Sequence, residues 1–447
     1  MKYTKPTLML FFVVFISILI RILFFHPTFS DENFYFNVGK NVLEGEMPYK
    51  DFFFAHPPLQ IYLIALFFKI FGVSFFVGKL ISLISSSLCV ILIYFISKEA
   101  FKNNSSFISA MIFLISPAFI AFSTQGYGMW EASLFVLLSI YLILKNKITE
   151  SSFTFIIAIL FRYFSLIYLP FLLTLLIIKR IKIKKFLLTF LLFSIIISSA
   201  LILIFDQNII TDTIIFQIKN TGNRISQEYF ISQYLSIGMF FIFLGFLSAV
   251  YAYQTKNKFL LLFSVYPIIS DIIIFFLFRE IAYHYFIISL PLYAIAIGKA
   301  LLSAKDKIIQ ISIIAILALA LLSNVPTIDF YLNPKYAERY YSIASFIENN
   351  TAANDSIFGE PVAVSYASFV TNRRISSNYL DSYLRHLTFE GEDKVIKNIE
   401  KDKPQIFIEM ESYYSSNPYF RDFLFKKYDF DRKLEGIPNY SIYRLKP

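Results

Sequence analysis

Long apolar segments follow one another from the start of the chain to about Val325, separated by short polar or charged stretches. A helix of about 20 apolar residues spans the hydrocarbon core of a bilayer. The pattern therefore predicts an α-helical polytopic membrane protein. Spanning helices are predicted over Thr7–Phe25, Val73–Ser97, Ser105–Ser123, Tyr127–Leu144, Phe186–Phe205, Tyr234–Tyr253, Lys258–Phe278, Ile281–Leu301 and Lys307–Val325.

Two further apolar stretches do not fit a single crossing. Phe153–Ile178 is interrupted by Arg162 and has basic residues beyond both ends, so we expect both ends on the cytoplasmic side. This predicts two short helices that turn near Arg162, covered by neighbouring helices or by a wet cavity. Leu59–Gly72 is too short to span comfortably, and we place it at the outer interface.

The pattern changes at about Pro326, where charged residues return and apolar residues come in short groups. We predict a helix over Tyr336–Glu348 and strands at Ser356–Phe358, Gln405–Ile408 and Ser441–Tyr443. Alternating helices and strands favour a small α/β domain. We therefore divide the chain into a transmembrane domain, residues 1–325, with outer loops 26–58 and 206–233, and an extracytoplasmic α/β domain, residues 326–447.

The composition agrees with a membrane protein, since 57% of the 447 residues are hydrophobic and only 16% are charged. The net charge of +10 comes without a basic stripe that carries base-stacking aromatic residues, so no nucleic-acid partner is predicted. The single cysteine, Cys89, excludes a disulfide framework and a cysteine-based metal cluster. The chain has no glycine-rich phosphate loop, which favours a lipid-carried donor over a nucleotide substrate.

Loop charges orient the predicted helices. The loops assigned to the cytoplasm carry sixteen basic residues and the outer loops five, as the positive-inside rule expects. This predicts about eleven crossings, a cytoplasmic N-terminus and an outer C-terminal domain. Short inner loops favour the plasma membrane of a prokaryotic cell. The sixteen are Lys2, Lys5, Lys98, Lys102, Lys145, Lys147, Lys179, Arg180, Lys182, Lys184, Lys185, Lys256, Lys258, Lys299, Lys305 and Lys307; the five are Lys40, Lys50, Lys219, Arg224 and Arg279.

The first outer loop, His26–Pro58, contains adjacent acids at Asp31 and Glu32. The residues after them have the spacing of an amphipathic helix that ends at Gly45, and we predict an interfacial helix here. It would hold both carboxylates at the membrane surface, where a lipid-linked substrate presents its headgroup. Two interpretations of Asp31 stay open: a catalytic base, or a cap of the following helix.

A histidine stands before two prolines where the next apolar helix begins, in His56-Pro57-Pro58-Leu59. Together with the acidic pair, this element is similar to the polytopic GT-C glycosyltransferases that use lipid-phosphate sugars, the protein O-mannosyltransferase and lipid A aminoarabinose transferase group. The resemblance covers most of the membrane part. It includes Asp31-Glu32, His56 to Leu59, Gly128 to Ala132, Phe161 to Phe164 with Pro170, and Arg279 through His284 to Pro291.

The resemblance implies roles for several of these residues. A first-loop aspartate is the catalytic base in that family, which corresponds to Asp31, with Glu32 beside it and Glu131 as a second carboxylate. His56 takes a position that is His in protein mannosyltransferases and Lys in the aminoarabinose enzymes. The latter have a metal-ligating glutamate just before it, where this chain has Ala55, so a divalent metal cation is left open as a cofactor.

Other charged residues on the predicted outer side suit a donor phosphate. Arg162, Arg224 and Arg279 are candidates, because arginine binds phosphate bidentately and stabilises developing negative charge. Glu280 and His284 have i, i+4 spacing and could share a proton or a divalent cation, and His56 is a further candidate for substrate or metal binding. Ordinary ion pairs and contacts at the membrane interface are the alternative for each of these side chains.

The favoured hypothesis is a glycosyltransferase that moves a hexose or pentose from dolichyl- or undecaprenyl-phosphate to an acceptor hydroxyl, with inversion, at the outer face. The acceptor is a protein, a lipid or a glycan. The alternative is a lipid or polysaccharide transporter or flippase, which is expected to show inverted repeats and polar residues at mid-membrane. A membrane-anchored binding protein does not explain so elaborate a first loop.

Overall fold

The computed structural model describes residues 5–28, 30–102, 105–219, 227–277, 283–304, 306–434 and 439–447. The chain divides into two compact units. The first unit comprises Met1–Phe25, Lys79–Ala200 and Asn223–Leu332, and the second comprises His26–Gly78, Leu201–Gly222 and Asn333–Pro447.

The first unit is built of helices, and two of them, Phe75–Phe101 and Ile183–Phe205, begin or end in the second unit. The other helices are Lys5–Ile22, Ser105–Leu114, Pro117–Phe122, Met129–Leu144, Ile148–Phe161, Leu169–Ile178, Gln227–Gln254, Lys258–Leu277, Phe286–Ser303, Lys307–Ser323 and Val325–Leu332.

Six helices in the described part of the chain are long and apolar enough to cross a membrane. A seventh span results if the bent pair Lys307–Ser323 and Val325–Leu332, which meet at 49°, counts as one. The prediction of a helical membrane fold is confirmed, whereas the count of about eleven crossings stays a prediction. The six are Lys5–Ile22, Phe75–Phe101, Ile183–Phe205, Leu235–Gln254, Lys258–Phe276 and Phe286–Ser303.

Two apolar segments are interrupted, one as predicted and one against the prediction. The backbone leaves helical geometry at Arg162, between the helix Ile148–Phe161 and the 3₁₀ turn Tyr163–Tyr168, so the predicted break is confirmed. The segment Ser105–Ser123, predicted as one span, consists of two helices instead. Pro117 lacks a backbone N–H, and the Ser116 side chain accepts from the Phe119 N–H and starts a new helix there.

The second unit contains a five-stranded mixed sheet with the order β2-β1-β3-β5-β4. β1 pairs in parallel with β2 and β3, whereas β5 pairs antiparallel with β3 and β4. The predicted small α/β domain with strands near 356, 406 and 441 is therefore confirmed. The strands are β1 Ser356–Gly359, β2 Arg374–Ile375, β3 Ile406–Met410, β4 Tyr428–Leu434 and β5 Tyr440–Leu445.

Aromatic residues form the core beneath this sheet, where Phe358 of β1, Phe407 of β3 and Tyr414 contact one another. The predicted helix near Tyr336 is present as Glu338–Asn350, with Ile343, Phe346 and Ile347 buried as expected. The other helices of the second unit are Glu32–Leu43, Leu59–Phe71, Asn208–Ile210, Phe216–Lys219, Pro361–Thr371, Leu384–Glu390, Glu392–Asp402 and Pro418–Lys427.

The helix Glu32–Leu43 is predicted, but its surroundings differ from those of an interfacial helix. It packs against Leu59–Phe71 and Pro361–Thr371, so that polar residues such as Asn37 and Lys40 are buried together with the apolar ones. The Lys40 ammonium donates to the Phe369 carbonyl and to the Asn372 side chain. A buried ammonium group requires such partners, and the C-terminal part of the chain supplies them for Lys40.

Gly359 at the end of β1 provides a test of the sheet. Its φ is +145°, and a Cβ there would overlap the Ile408 carbonyl oxygen of the neighbouring strand. We expect Gly359→Ala to destabilise the second unit by about 3 kcal/mol, since backbone strain and a backbone clash add. Gly391→Ala is the matched control, because Gly391 has φ +99° but no atom within 4 Å of the added carbon.

Thermal unfolding of both variants in detergent is monitored by limited proteolysis of the C-terminal segment. We expect a clearly lower unfolding midpoint for Gly359→Ala than for Gly391→Ala, and equal midpoints would contradict this expectation.

Candidate active site

Asp31 stands at the first position before the helix Glu32–Leu43, where a capping side chain would be expected. Its carboxylate makes no capping hydrogen bond to that helix. Instead, the Tyr383 hydroxyl donates to Asp31 Oδ1 at 2.6 Å. Of the two interpretations left open by the sequence, the structure does not support the cap, and it directs the carboxylate towards the C-terminal segment.

Glu32 has different surroundings from its neighbour. Its side chain is fully buried, and the Thr28 hydroxyl donates to Glu32 Oε1 at 2.7 Å. The Asn33 amide donates to the Thr28 carbonyl at 3.2 Å. Glu32 therefore orders the loop that leads into the helix, while Asp31 faces Tyr383.

The sequence analysis did not select the residues that contact Asp31 from the C-terminal segment. Tyr383 begins the short helix Leu384–Glu390, whose first turn also carries Arg385 and His386. Asp31 acts electrostatically on both of these residues. The sequence does contain a signal for a functional site here. The run Asp381 to His386 combines Asp, Tyr, Arg and one of the four histidines of the chain.

Burial sets the ionisation of the groups around Asp31. It raises the pKa of the Tyr383 hydroxyl well above its usual value, and the carboxylates of Asp31 and Glu360 act in the same direction. Burial also raises the pKa of Glu360 to about 7, although the backbone N–H groups of Ala363 and Val362 lower it. Tyr383 therefore keeps its proton near neutral pH and can serve as a hydrogen-bond donor to Asp31.

His56 lies in the same unit and packs among aromatic rings. Its ring centroid is 5.7 Å from those of Tyr35 and Phe54, and the Tyr49 hydroxyl donates to the His56 carbonyl at 2.6 Å. Because Tyr35 lies in the helix that follows Asp31, His56 is close to the start of that helix.

The loop after Phe205 holds the segment that precedes His56. The Phe54 N–H donates to Asp212 Oδ2 at 3.3 Å, and the Gln217 amide donates to the Ala55 carbonyl at 3.3 Å. Burial raises the pKa of Asp212 to about 7, while the Phe54 N–H acts in the opposite direction. Asp212 and Gln217 are further residues that the sequence analysis did not select.

A second cluster of predicted residues lies in the first unit. Glu131 is buried and accepts from the Ser82 hydroxyl at 2.9 Å. Arg162 donates to the Tyr127 carbonyl, and the ring of His284 stacks on Tyr127 with centroids 4.6 Å apart. Arg162 acts electrostatically on both Glu131 and His284. The structure therefore brings three of the predicted residues together.

The remaining predicted residues, Arg224, Arg279 and Glu280, lie outside the described residues. The pairing of Glu280 with His284 consequently stays a prediction. Among the residues that the structure does describe, no group of three His, Cys, Asp or Glu side chains could hold a metal ion.

Part of the chain matches a known protein family. Residues 55–204 match the sequence model of the family described as dolichyl-phosphate-mannose-protein mannosyltransferase. The matched segment contains His56, Glu131 and Arg162. No curated protein sequence matches the chain.

Solved structures share the fold along almost the whole chain. ArnT from Cupriavidus metallidurans bound to undecaprenyl phosphate superimposes with a TM-score of 0.67 at 11% identity, covering 98% of this chain and 97% of that one. Its apo state gives 0.66 at 11% identity, with 97% of each chain covered.

The oligosaccharyltransferase of Archaeoglobus fulgidus in complex with Zn and sulfate has a TM-score of 0.52 at 14% identity, covering 97% of this chain and 73% of that one. At these identities the likeness concerns the fold. The resemblance to GT-C glycosyltransferases that use lipid-phosphate sugars is thus confirmed, by the family match over residues 55–204 and by the fold of nearly the entire chain.

Proposed function

We propose that the protein is a membrane glycosyltransferase that moves a hexose or pentose from a polyprenyl-phosphate donor to an acceptor hydroxyl. The family match and the fold shared with ArnT, a protein crystallised with undecaprenyl phosphate, support this class of reaction. The observation that carries it to particular residues is the Asp31 carboxylate, which faces the Tyr383 hydroxyl instead of capping its helix.

In the proposed reaction, Asp31 takes the proton of the acceptor hydroxyl as general base. The acceptor oxygen forms a bond to the anomeric carbon while the bond from that carbon to the phosphate oxygen breaks. The bonding electrons leave with polyprenyl phosphate, and the configuration at the anomeric carbon inverts. Tyr383 orients the base through a charge-assisted hydrogen bond.

The other predicted residues are assigned supporting roles. Glu32 orders the loop around the base, and Glu131 remains a second candidate carboxylate. Arg162, together with Arg224 and Arg279, is proposed to bind the donor phosphate, because guanidinium groups stabilise the charge that develops on a leaving phosphate. His56 and His284 are candidates for contacts with the substrate.

The proposed location is the plasma membrane, with a cytoplasmic N-terminus and the C-terminal α/β domain outside. The count of basic residues in the loops supports this orientation. A lipid-linked donor and a protein, lipid or glycan acceptor would then be used at the outer face.

Replacing the base tests the proposal. Asp31→Asn is expected to lower transfer by about 10² to 10⁴-fold, the usual contribution of a general base. The matched control is Glu44→Gln, an exposed carboxyl on the same loop, which should keep full activity. The measurement is release of polyprenyl phosphate from a panel of radiolabelled polyprenyl-phosphate sugars by the full-length protein in membranes.

Full transfer by a folded Asp31→Asn variant would overturn the role of Asp31. No release from any donor by the wild-type protein would favour the transporter hypothesis, and flipping of lipid-linked sugars would then be measured.

The requirement for a divalent cation is a separate prediction. Because Ala55 stands where the aminoarabinose enzymes have a metal-ligating glutamate, we expect transfer to survive prolonged treatment with a chelator. Loss of activity that added divalent cation restores would contradict this expectation and would direct attention to Glu280 and His284.

Removal of one hydroxyl tests the hydrogen bond to the base. Tyr383→Phe is expected to lower kcat by about 10- to 150-fold with little change in KM, because a hydrogen bond to a charged group contributes about 1.5 to 3 kcal/mol. Tyr419→Phe is the control, since Tyr419 is a half-exposed tyrosine of the same segment. Equal kcat values for the two variants would show that Tyr383 does not orient the base.

A further inference from the structure

Arg385 is a cation at the start of the helix Leu384–Glu390, next to the tyrosine that donates to the proposed base. Its guanidinium carbon lies 5.2 Å from the centroid of the Tyr383 ring, and Tyr383 donates to Asp31. Burial lowers the pKa of Arg385, whereas Asp31, Tyr413 and Tyr35 act in the opposite direction. Arg385 therefore packs on the ring whose hydroxyl holds the Asp31 carboxylate.

A buried histidine fixes the orientation of Arg385. The Arg385 Nε–H donates to His386 Nε2 at 3.1 Å. A guanidinium group can only donate hydrogen bonds, so Nε2 must accept and the proton of the neutral imidazole must sit on Nδ1. Burial lowers the pKa of His386 well below its usual value, and the charge of Arg385 acts in the same direction. His386 is therefore a neutral acceptor for Arg385.

Asp381 and two aromatic rings hold the imidazole in turn. His386 Nδ1 is in contact with Asp381 Oδ1, and both side chains are only 2% exposed. The rings of Phe216 and Phe53 pack against the imidazole, with centroids 4.6 Å and 5.1 Å away. Asp381, His386 and Arg385 thus form one connected chain that ends at the Tyr383 ring.

We propose that Arg385 is a positioning residue that holds the Tyr383 ring, and through its hydroxyl the Asp31 carboxylate, in place, and that the buried pair Asp381 and His386 holds Arg385. The inference rests on the proposed function in one respect, since Asp31 is taken as the base.

The test measures Asp31 directly and needs no donor. Carbodiimide modifies accessible carboxyl groups, and mass spectrometry of the peptide that contains Asp31 gives the rate of modification at a fixed pH in the full-length protein. We expect Arg385→Met to raise this rate about tenfold, because a Tyr383 ring that has lost its cation holds the Asp31 carboxylate less firmly, and a hydrogen bond to a charged group is worth about that factor. Arg385→Lys should restore much of the protection.

His386 variants test the second part of the chain. His386→Phe keeps the aromatic packing but removes both nitrogen atoms, and it should raise the modification rate in the same direction as Arg385→Met. His386→Gln supplies one acceptor and one donor and should restore part of the wild-type value. If His386→Phe does not fold, the Gln variant and Arg385→Lys carry the test. Arg421→Met, at a half-exposed arginine paired with Asp422, is the control.

Unchanged modification of Asp31 in Arg385→Met, at a level equal to Arg421→Met, would overturn the inference. The assay separates this failure from a failure of the proposed function. A raised modification rate together with full transfer by Asp31→Asn would leave Arg385 as a neighbour of Asp31 and remove Asp31 from the reaction. An unchanged rate together with an inactive Asp31→Asn variant would keep Asp31 as the base and would remove Arg385 as its positioning residue.

Discussion

The hydrogen bond from the Tyr383 hydroxyl to the Asp31 carboxylate is the interaction on which the candidate site depends. It joins residues that are 352 positions apart, so the first loop and the C-terminal segment must fold as one unit for it to form. A carboxylate placed at the start of a helix would otherwise satisfy the free N–H groups of that helix. The competing donor from the C-terminal segment holds the carboxylate away from those N–H groups.

The packing of the helix Glu32–Leu43 also ties the first loop to the C-terminal segment. Gly39 allows close approach of Ile64 from the helix Leu59–Phe71, and a side chain at this position would overlap it. On the other side, Asn33 and Lys40 donate to backbone carbonyls of the helix Pro361–Thr371. Because a buried polar group without a partner costs free energy, these pairs fix the register between the first loop and the C-terminal segment. The position of Asp31 follows from that register.

Sequence periodicity predicted most of the apolar helices, the helix after Asp31, the helix near Tyr336 and three of the five strands, since long apolar runs and alternating strands are local signals. It did not predict the other helices of the C-terminal segment, such as Pro361–Thr371 and Leu384–Glu390. It could not show that the polar face of the helix after Asp31 is buried, because the spacing of Asn37 and Lys40 is the same for a face exposed to water and for a face buried against protein. Nor could it show that the segment with Tyr383, Arg385 and His386 folds onto the loop that contains Asp31, since contacts between distant segments produce no periodic pattern in the sequence. The short strands β2 and β4 were missed for a related reason: Arg374–Ile375 is two residues long, and Tyr428–Leu434 carries four charges. The break at Arg162 was predicted because a charge in an apolar run is a local signal.

A structure of the full-length protein in a lipid nanodisc with a non-hydrolysable polyprenyl-phosphonate sugar would show directly whether Asp31 is placed as the base. We predict that Tyr383 contacts Asp31 in that complex and that the anomeric carbon of the sugar lies close enough to Asp31 for one acceptor oxygen to fit between them. An Asp31 side chain turned back onto the helix Glu32–Leu43, with the sugar bound elsewhere, would contradict this prediction.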